Sequence, residues 1–177
     1  MAKIFSRSIM TLALLAVLFI VGKYLYMKPK FINGEVPPNF TGYLANGDSI
    51  QLADFRGELI LLDFWGSWCG PCRQESPDLR ALHQKFHGKK FKDAEGFDII
   101  SVGIESKRKS WLKAIESDQL NWKNHVCDFK RLNSDIALQY GVREIPTKFL
   151  LNEDGMIIGV NQSFQELDKI LSARLAN

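Results

Sequence analysis

Between Leu59 and Trp65 the chain reads Leu-Ile-Leu-Leu-Asp-Phe-Trp, apolar except for one acid. A continuous apolar run of this kind marks a strand buried on both faces, as in sheets covered by helices. Just beyond it stands Trp68-Cys69-Gly70-Pro71-Cys72, where Pro71 suits the first turn of a helix. That helix is expected to run to about His87, kinked at Pro77. Phe97–Ile104 reads as a second buried strand. Ser110–Glu116 and Ser134–Tyr140 read as short helices, the latter ended by Gly141. Thr147–Leu151 and Met156–Val160 read as strands around the turn Asn152-Glu153-Asp154-Gly155. Phe164–Leu175 closes as an amphipathic helix. Upstream, Phe40–Leu44 and Ser49–Leu52 flank Asn46-Gly47, the strongest short hairpin signal. Strands alternating with helices and then a late hairpin imply an α/β sandwich around a mixed sheet.

The 177 residues suffice for one such domain plus an N-terminal segment. With 46% hydrophobic and 24% charged residues the chain is neither disordered nor fibrous. Five of its 23 bases lie in residues 1–30, which hold no acid, leaving 18 bases against 20 acids in the remainder. The domain is therefore not basic, and no nucleic-acid partner is expected. Lys3 and Arg7 precede an uncharged apolar run, Ile9 to Gly22, extended by Tyr24-Leu25-Tyr26-Met27. Without an Ala-x-Ala-like cleavage site after Gly22, this reads as an uncleaved membrane anchor rather than a removed signal peptide. The expected organisation is an anchor or signal segment at 1–27, a linker at 28–38 and the domain at 39–177. Short N-terminal tails usually stay cytoplasmic while long domains translocate, which places the domain outside the cytoplasm, on the periplasmic side of the inner membrane in a Gram-negative cell.

The two-residue gap between Cys69 and Cys72, in a turn that opens a helix, brings both sulfurs within disulfide reach. The first cysteine then lies at the helix N-terminus, where unpaired N–H groups and the macrodipole favour a thiolate. Leu61 to Arg73, read as Leu-Leu-Asp-Phe-Trp-Gly-Ser-Trp-Cys-Gly-Pro-Cys-Arg, resembles the thioredoxin superfamily signature. Val36-Pro37-Pro38-Asn39-Phe40, Leu52-Ala53-Asp54-Phe55-Arg56-Gly57 and Glu75-Ser76-Pro77 resemble its membrane-anchored TlpA/ResA-like branch. Tyr140 to Thr147 is similar to the family's cis-proline loop.

The resemblance implies a thioredoxin-like three-layer α/β/α sandwich with an N-terminal β-hairpin extension. It also implies a thiol-disulfide oxidoreductase that exchanges electrons through its cysteine pair, with no cofactor and no metal. Cys69 would be the exposed attacking thiolate and Cys72 the buried resolving thiol. Trp68, Gly70, Pro71, Ile145 and Pro146 would form the substrate-binding surface, with Pro146 cis and the Ile145 backbone pairing with the substrate chain. Asp63 matches the buried acid of thioredoxins, and Glu75 matches the active-site glutamate of the ResA-like branch. Burial should raise the Asp63 pKa and make it the principal base for Cys72, with Glu75 assisting from one helical turn away. Glu144 departs from the small residue usual two positions before that proline and would set negative charge near Cys69. The implied partners are disulfide-bearing protein substrates and a membrane thiol electron donor. Cytochrome c maturation is one role within the family, since haem-site cysteines must be reduced before haem attaches.

Three other readings compete. Cys69-x-x-Cys72 followed by His83-x-x-x-His87 imitates a zinc finger, but about 11 helical residues place His83 roughly 16 Å from Cys72. The bland reading of both histidines is an exposed helix face. A peroxidase would carry Pro-x-x-x-Thr-x-x-Cys at its reactive cysteine, and here Trp65 and Gly66 stand four and three residues before Cys69. An anchored binding domain with a merely structural disulfide has no need of a cysteine at a helix start. Cys127 reads as a buried free thiol, with a role beside His125 the lesser reading. The basic stretches Lys85–Lys92 and Lys107–Lys109 read as solvated faces.

Overall fold

The computed structural model describes residues 2–27 and 30–176, with the side chains of all these except 2–9, 11 and 27. Met1, Lys28, Pro29 and Asn177, and the side chains of Lys3 and Arg7, belong to the expected anchor, linker and domain end and lie outside the described residues. An N-terminal helix α1 spans Ala2–Met27. A hairpin follows, β1 Thr41–Tyr43 against β2 Ser49–Gln51, with Gly47 at φ 95° in its turn as the Asn46-Gly47 signal predicts.

Then come β3 Leu59–Trp65, α2 Gly70–Phe86, β4 Phe97–Gly103, α3 Arg108–Ser117, β5 His125–Val126, α4 Asp135–Tyr140, β6 Thr147–Leu151, β7 Ile157–Val160 and α5 Phe164–Arg174. The strands order as β5-β4-β3-β6-β7. β3, β4 and β5 are mutually parallel, and β6 and β7 are antiparallel to their neighbours, giving the mixed sheet. The main strands fall within a residue of their expected bounds because β3 and β6 are buried throughout and β4 almost so. Pro77 stands inside α2 and does not end it. Gly141 ends α4 in the left-handed region at φ 64°.

The two faces of β3 feed two cores. Leu59, Leu61 and Trp65 pack with Leu79, Leu82 and Phe86 of α2 and with Leu167 and Leu171 of α5. Ile60, Leu62 and Phe64 pack with Ile136, Ala137 and Tyr140 of α4. Each such fully buried leucine, isoleucine or phenylalanine contributes roughly 1.5–3 kcal/mol. The hairpin closes over β5: a Cβ on Gly42 would stand 2.7 Å from Val126, so only glycine admits that approach.

The expected linker is fastened to the domain. Gly34 donates its N–H to Ile157 and Glu35 accepts from Ile157, covering the edge of β7. Pro37 is buried, and the Pro38 carbonyl accepts from the Tyr140 hydroxyl. In α1, Met10 and residues 12–26 are exposed. Among the described residues no helix is long and apolar enough to cross a membrane.

Candidate functional site

The C-terminal end of β3 delivers the chain at Trp65 into a turn that opens α2. Cys69 is the N-cap: its Sγ accepts the N–H of Cys72 at 3.2 Å, which satisfies one of the free N–H groups of the first turn. Cys69 and Cys72 are joined as a disulfide, with their Cα atoms 5.3 Å apart. The Ile145–Pro146 peptide is cis, as expected. Its loop lies over the pair, with the Ile145 carbonyl oxygen 3.8 Å from Cys69 Sγ.

Cys69 is not exposed as expected. In the disulfide form it is 5% exposed, close to the 3% of Cys72, because the Ile145 loop and the helix start enclose its sulfur. The open surface is instead made by Trp68, 51% exposed, together with Gly70 and Pro71.

Trp68 is held from below. Its indole N–H donates to the Ile104 carbonyl at 2.7 Å, and the Arg131 guanidinium lies 5.0 Å over its ring. The buried carboxylate of Glu105 accepts the N–H of Ser67 in the same turn. Arg73 clamps the start of α2 to the end of α3 through both oxygens of Asp118. A cleft of about 540 Å³ opens between these two helices, lined by Ser67, Trp68, Arg73, Ser110, Lys113 and Ser117 among others.

Beneath the disulfide, Asp63 faces α2 from the middle of the sheet and is 2% exposed. Its neighbours across the strands are Ser101 on β4 and Lys148 on β6. Ser101 Oγ lies 3.4 Å from Asp63 Oδ2 and itself accepts from the Trp122 indole. Burial pushes the Asp63 carboxyl up to about 7; Lys148 pulls against this, Glu75 adds to it and the Ser101 bond opposes it. The Lys148 ammonium is buried and pairs with Glu75 Oε2 at 2.5 Å, while the Glu75 side chain stays 31% exposed. The structure thus brings Asp63 and Glu75 into one electrostatic cluster through Lys148, which the sequence reading did not single out. Its signal was present: Thr147-Lys148-Phe149-Leu150-Leu151 carries one charge in an apolar run, as β3 does.

A family model described as Thioredoxin-like matches residues 57–157. The chain belongs to the thioredoxin-like family. Proteins named ResA are among the relatives that match most of the chain. "Thiol-disulfide oxidoreductase ResA" of Bacillus thuringiensis subsp. konkukian is 33% identical over 138 residues, covering 76% of this chain and 72% of that protein. ResA of Bacillus subtilis is 30% identical over 133 residues, covering 75% of this chain and 69% of its own. Among solved structures, the thioredoxin domain of a thiol-disulfide oxidoreductase from Bacteroides vulgatus superposes with a TM-score of 0.69 at 31% identity, covering 80% of this chain and 99% of that one. A thiol-disulfide oxidoreductase from Bacteroides fragilis gives 0.68 at 29% identity, covering 78% and 98%. This thioredoxin-like protein is a TlpA/ResA-like thiol-disulfide oxidoreductase with the thioredoxin-like α/β fold.

The remaining sequence expectations are placed as follows. Glu144 is exposed, with its backbone carbonyl accepting from Thr147 Oγ1. Cys127 is a buried free thiol that burial pushes up to about 11. The His125 Nε2 meets the Leu120 carbonyl at 3.1 Å, and its ring stacks on Trp122. His83 and His87 do not form a plain exposed helix face: His83 is partly buried and both rings turn toward Asp98.

Proposed function

We propose that this oxidoreductase reduces disulfides of protein substrates outside the cytoplasm, anchored through its N-terminal segment. The observation that carries the reading is the Cys69–Cys72 disulfide at the opening of α2, under the cis Ile145–Pro146 loop and beside the exposed Trp68.

In the dithiol form, the Cys69 thiolate attacks a substrate sulfur, forming a mixed disulfide and releasing the other substrate sulfur as a thiol. Cys72 then loses its proton and attacks Cys69 Sγ. The second substrate sulfur leaves reduced, and the enzyme disulfide forms. Two electrons from a membrane thiol donor restore the dithiol. Backbone N–H groups at the start of α2 favour the Cys69 anion. Burial of Cys72 disfavours its anion, so the step needs a base. Asp63, at about 7, is poised to take that proton near neutral pH. Glu75 and Lys148 set the local charge, with Glu75 assisting from the wetter side.

Trp68, Gly70 and Pro71 offer an exposed platform for the substrate segment, and the Ile145 backbone offers it a pairing edge. Anchoring is supported by the apolar run from Ile9 and by the exposure of side chains such as Leu15, Leu18 and Phe19 on α1.

The test is mixed-disulfide trapping. Cys72→Ser is expected to hold substrates on Cys69, because no resolving thiol remains, and Cys69→Ser to hold none. Trapping through Cys127, or by Cys69→Ser, would overturn these assignments.

A further inference from the structure

The motif His83-x-x-x-His87 has no part in the disulfide chemistry. One helical turn apart at the end of α2, the two rings stack in parallel with centroids 4.5 Å apart. Asp98, the second residue of β4, faces both: its Oδ1 lies 3.1 Å from His83 Nε2 and 3.9 Å from His87 Nδ1. One donor atom from each of the three residues lies within 4.8 Å of the others.

We propose that His83, His87 and Asp98 form a binding site for a borderline divalent cation, best suited to Zn²⁺, separate from the cysteine pair. Three features carry this. Two imidazoles and one carboxylate are a donor set for zinc and similar transition ions, whereas calcium and magnesium take oxygen ligands. Bonds of about 2.0–2.2 Å in a tetrahedral site set donors roughly 3.3–3.5 Å apart, so only His87 must move, by a fraction of an ångström to about one. It can, because it caps the helix end and its side chain is 56% exposed.

The support around the ligands is also built. Asn124 Nδ2 donates to Asp98 Oδ2 at 3.0 Å, and the Ile99 N–H donates to Oδ1 at 2.7 Å. The indole of Trp122 packs 5.4 Å from the His83 ring, while the contact of His87 Nδ1 with the Phe97 carbonyl at 3.3 Å is one that this nitrogen gives up on binding the ion. The other outer contacts hold ligand side chains in orientation. The exposed side of His87 leaves a coordination position for water. About 11 helical residues separate His83 from Cys72, roughly 16 Å, so the ion would not reach the sulfurs.

The experiment is calorimetric titration of the full-length chain, in mild detergent and in its disulfide form, with ZnCl₂. The disulfide removes Cys69 and Cys72 as ligands. One saturable site is expected. His83→Gln and Asp98→Asn should each weaken it at least 100-fold, and Asn124→Leu about 10- to 100-fold. His87→Gln, at an exposed position, should weaken it similarly while leaving near-ultraviolet circular dichroism and disulfide reduction unchanged. Zinc should raise the thermal midpoint of the wild type and not that of His87→Gln. Absence of saturable binding, or binding of equal strength in wild type, His83→Gln and His87→Gln, would overturn the site.

Discussion

Replacing Asp63 by Asn isolates the most strongly perturbed group at the centre of the site. The folded carboxyl titrates near 7, against 3.8 for the ordinary group. Between those values the folded protein holds a proton that the unfolded chain has lost. Stability therefore falls as pH rises through this window, is fully present below it and levels off above about 7. At 1.36 kcal/mol per pH unit, the loss is about 4 kcal/mol. Asparagine keeps the shape and neutrality of the protonated acid, so it removes this loss. Urea denaturation of the disulfide form, in which the cysteine pair cannot titrate, should show wild type and Asp63→Asn nearly equal at pH 4. By pH 8 the variant should be more stable by roughly 3–4 kcal/mol. The other titrating groups are shared, so the difference between the two proteins belongs to Asp63. In stopped-flow experiments the same variant should resolve mixed disulfides more slowly at pH 7, converging on wild type at high pH where Cys72 ionises unaided. Stability differences that stay constant from pH 4 to pH 8, or equal resolution rates at pH 7, would refute the reasoning.

Lys148→Met removes the cation that opposes the rise of the Asp63 pKa. The pH profile of resolution should shift to higher pH, and a merely structural role for Lys148 would lower stability without moving that profile. Glu144→Gln should leave the titration of Cys69 unchanged, since exposed charges are screened by solvent and salt; a lowered Cys69 pKa at low salt would place that carboxylate against the thiolate.

Local signals carried much of this fold into the sequence. The strands β3, β4 and β6 announce themselves as apolar runs, and the Asn46-Gly47 turn and the Gly141 stop follow from local backbone preferences. β5 is only two residues long and exists through its pairing with β4, so the local pattern offers no more than a possible strand just before Cys127. At the site, Asp63 was legible because an acid in an apolar strand costs stability unless something answers it. What answers it was not legible: Ser101 and Lys148 come from strands far along the chain, and only sheet register sets them beside Asp63. The same holds for Asp98, which turns two ordinary helix histidines into a cluster. The burial of Cys69 was missed for a related reason. The loop that covers it arrives from residue 145, and a helix start alone suggests an open sulfur.

The redox potential of the Cys69–Cys72 pair tests the central claim most directly. Equilibration of the full-length protein with glutathione buffers, read by alkylation of the free thiols, gives it. A reductant of protein disulfides should lie near the value of thioredoxin, about −270 mV. A potential near that of DsbA, about −120 mV, would make the pair an oxidant and contradict the account.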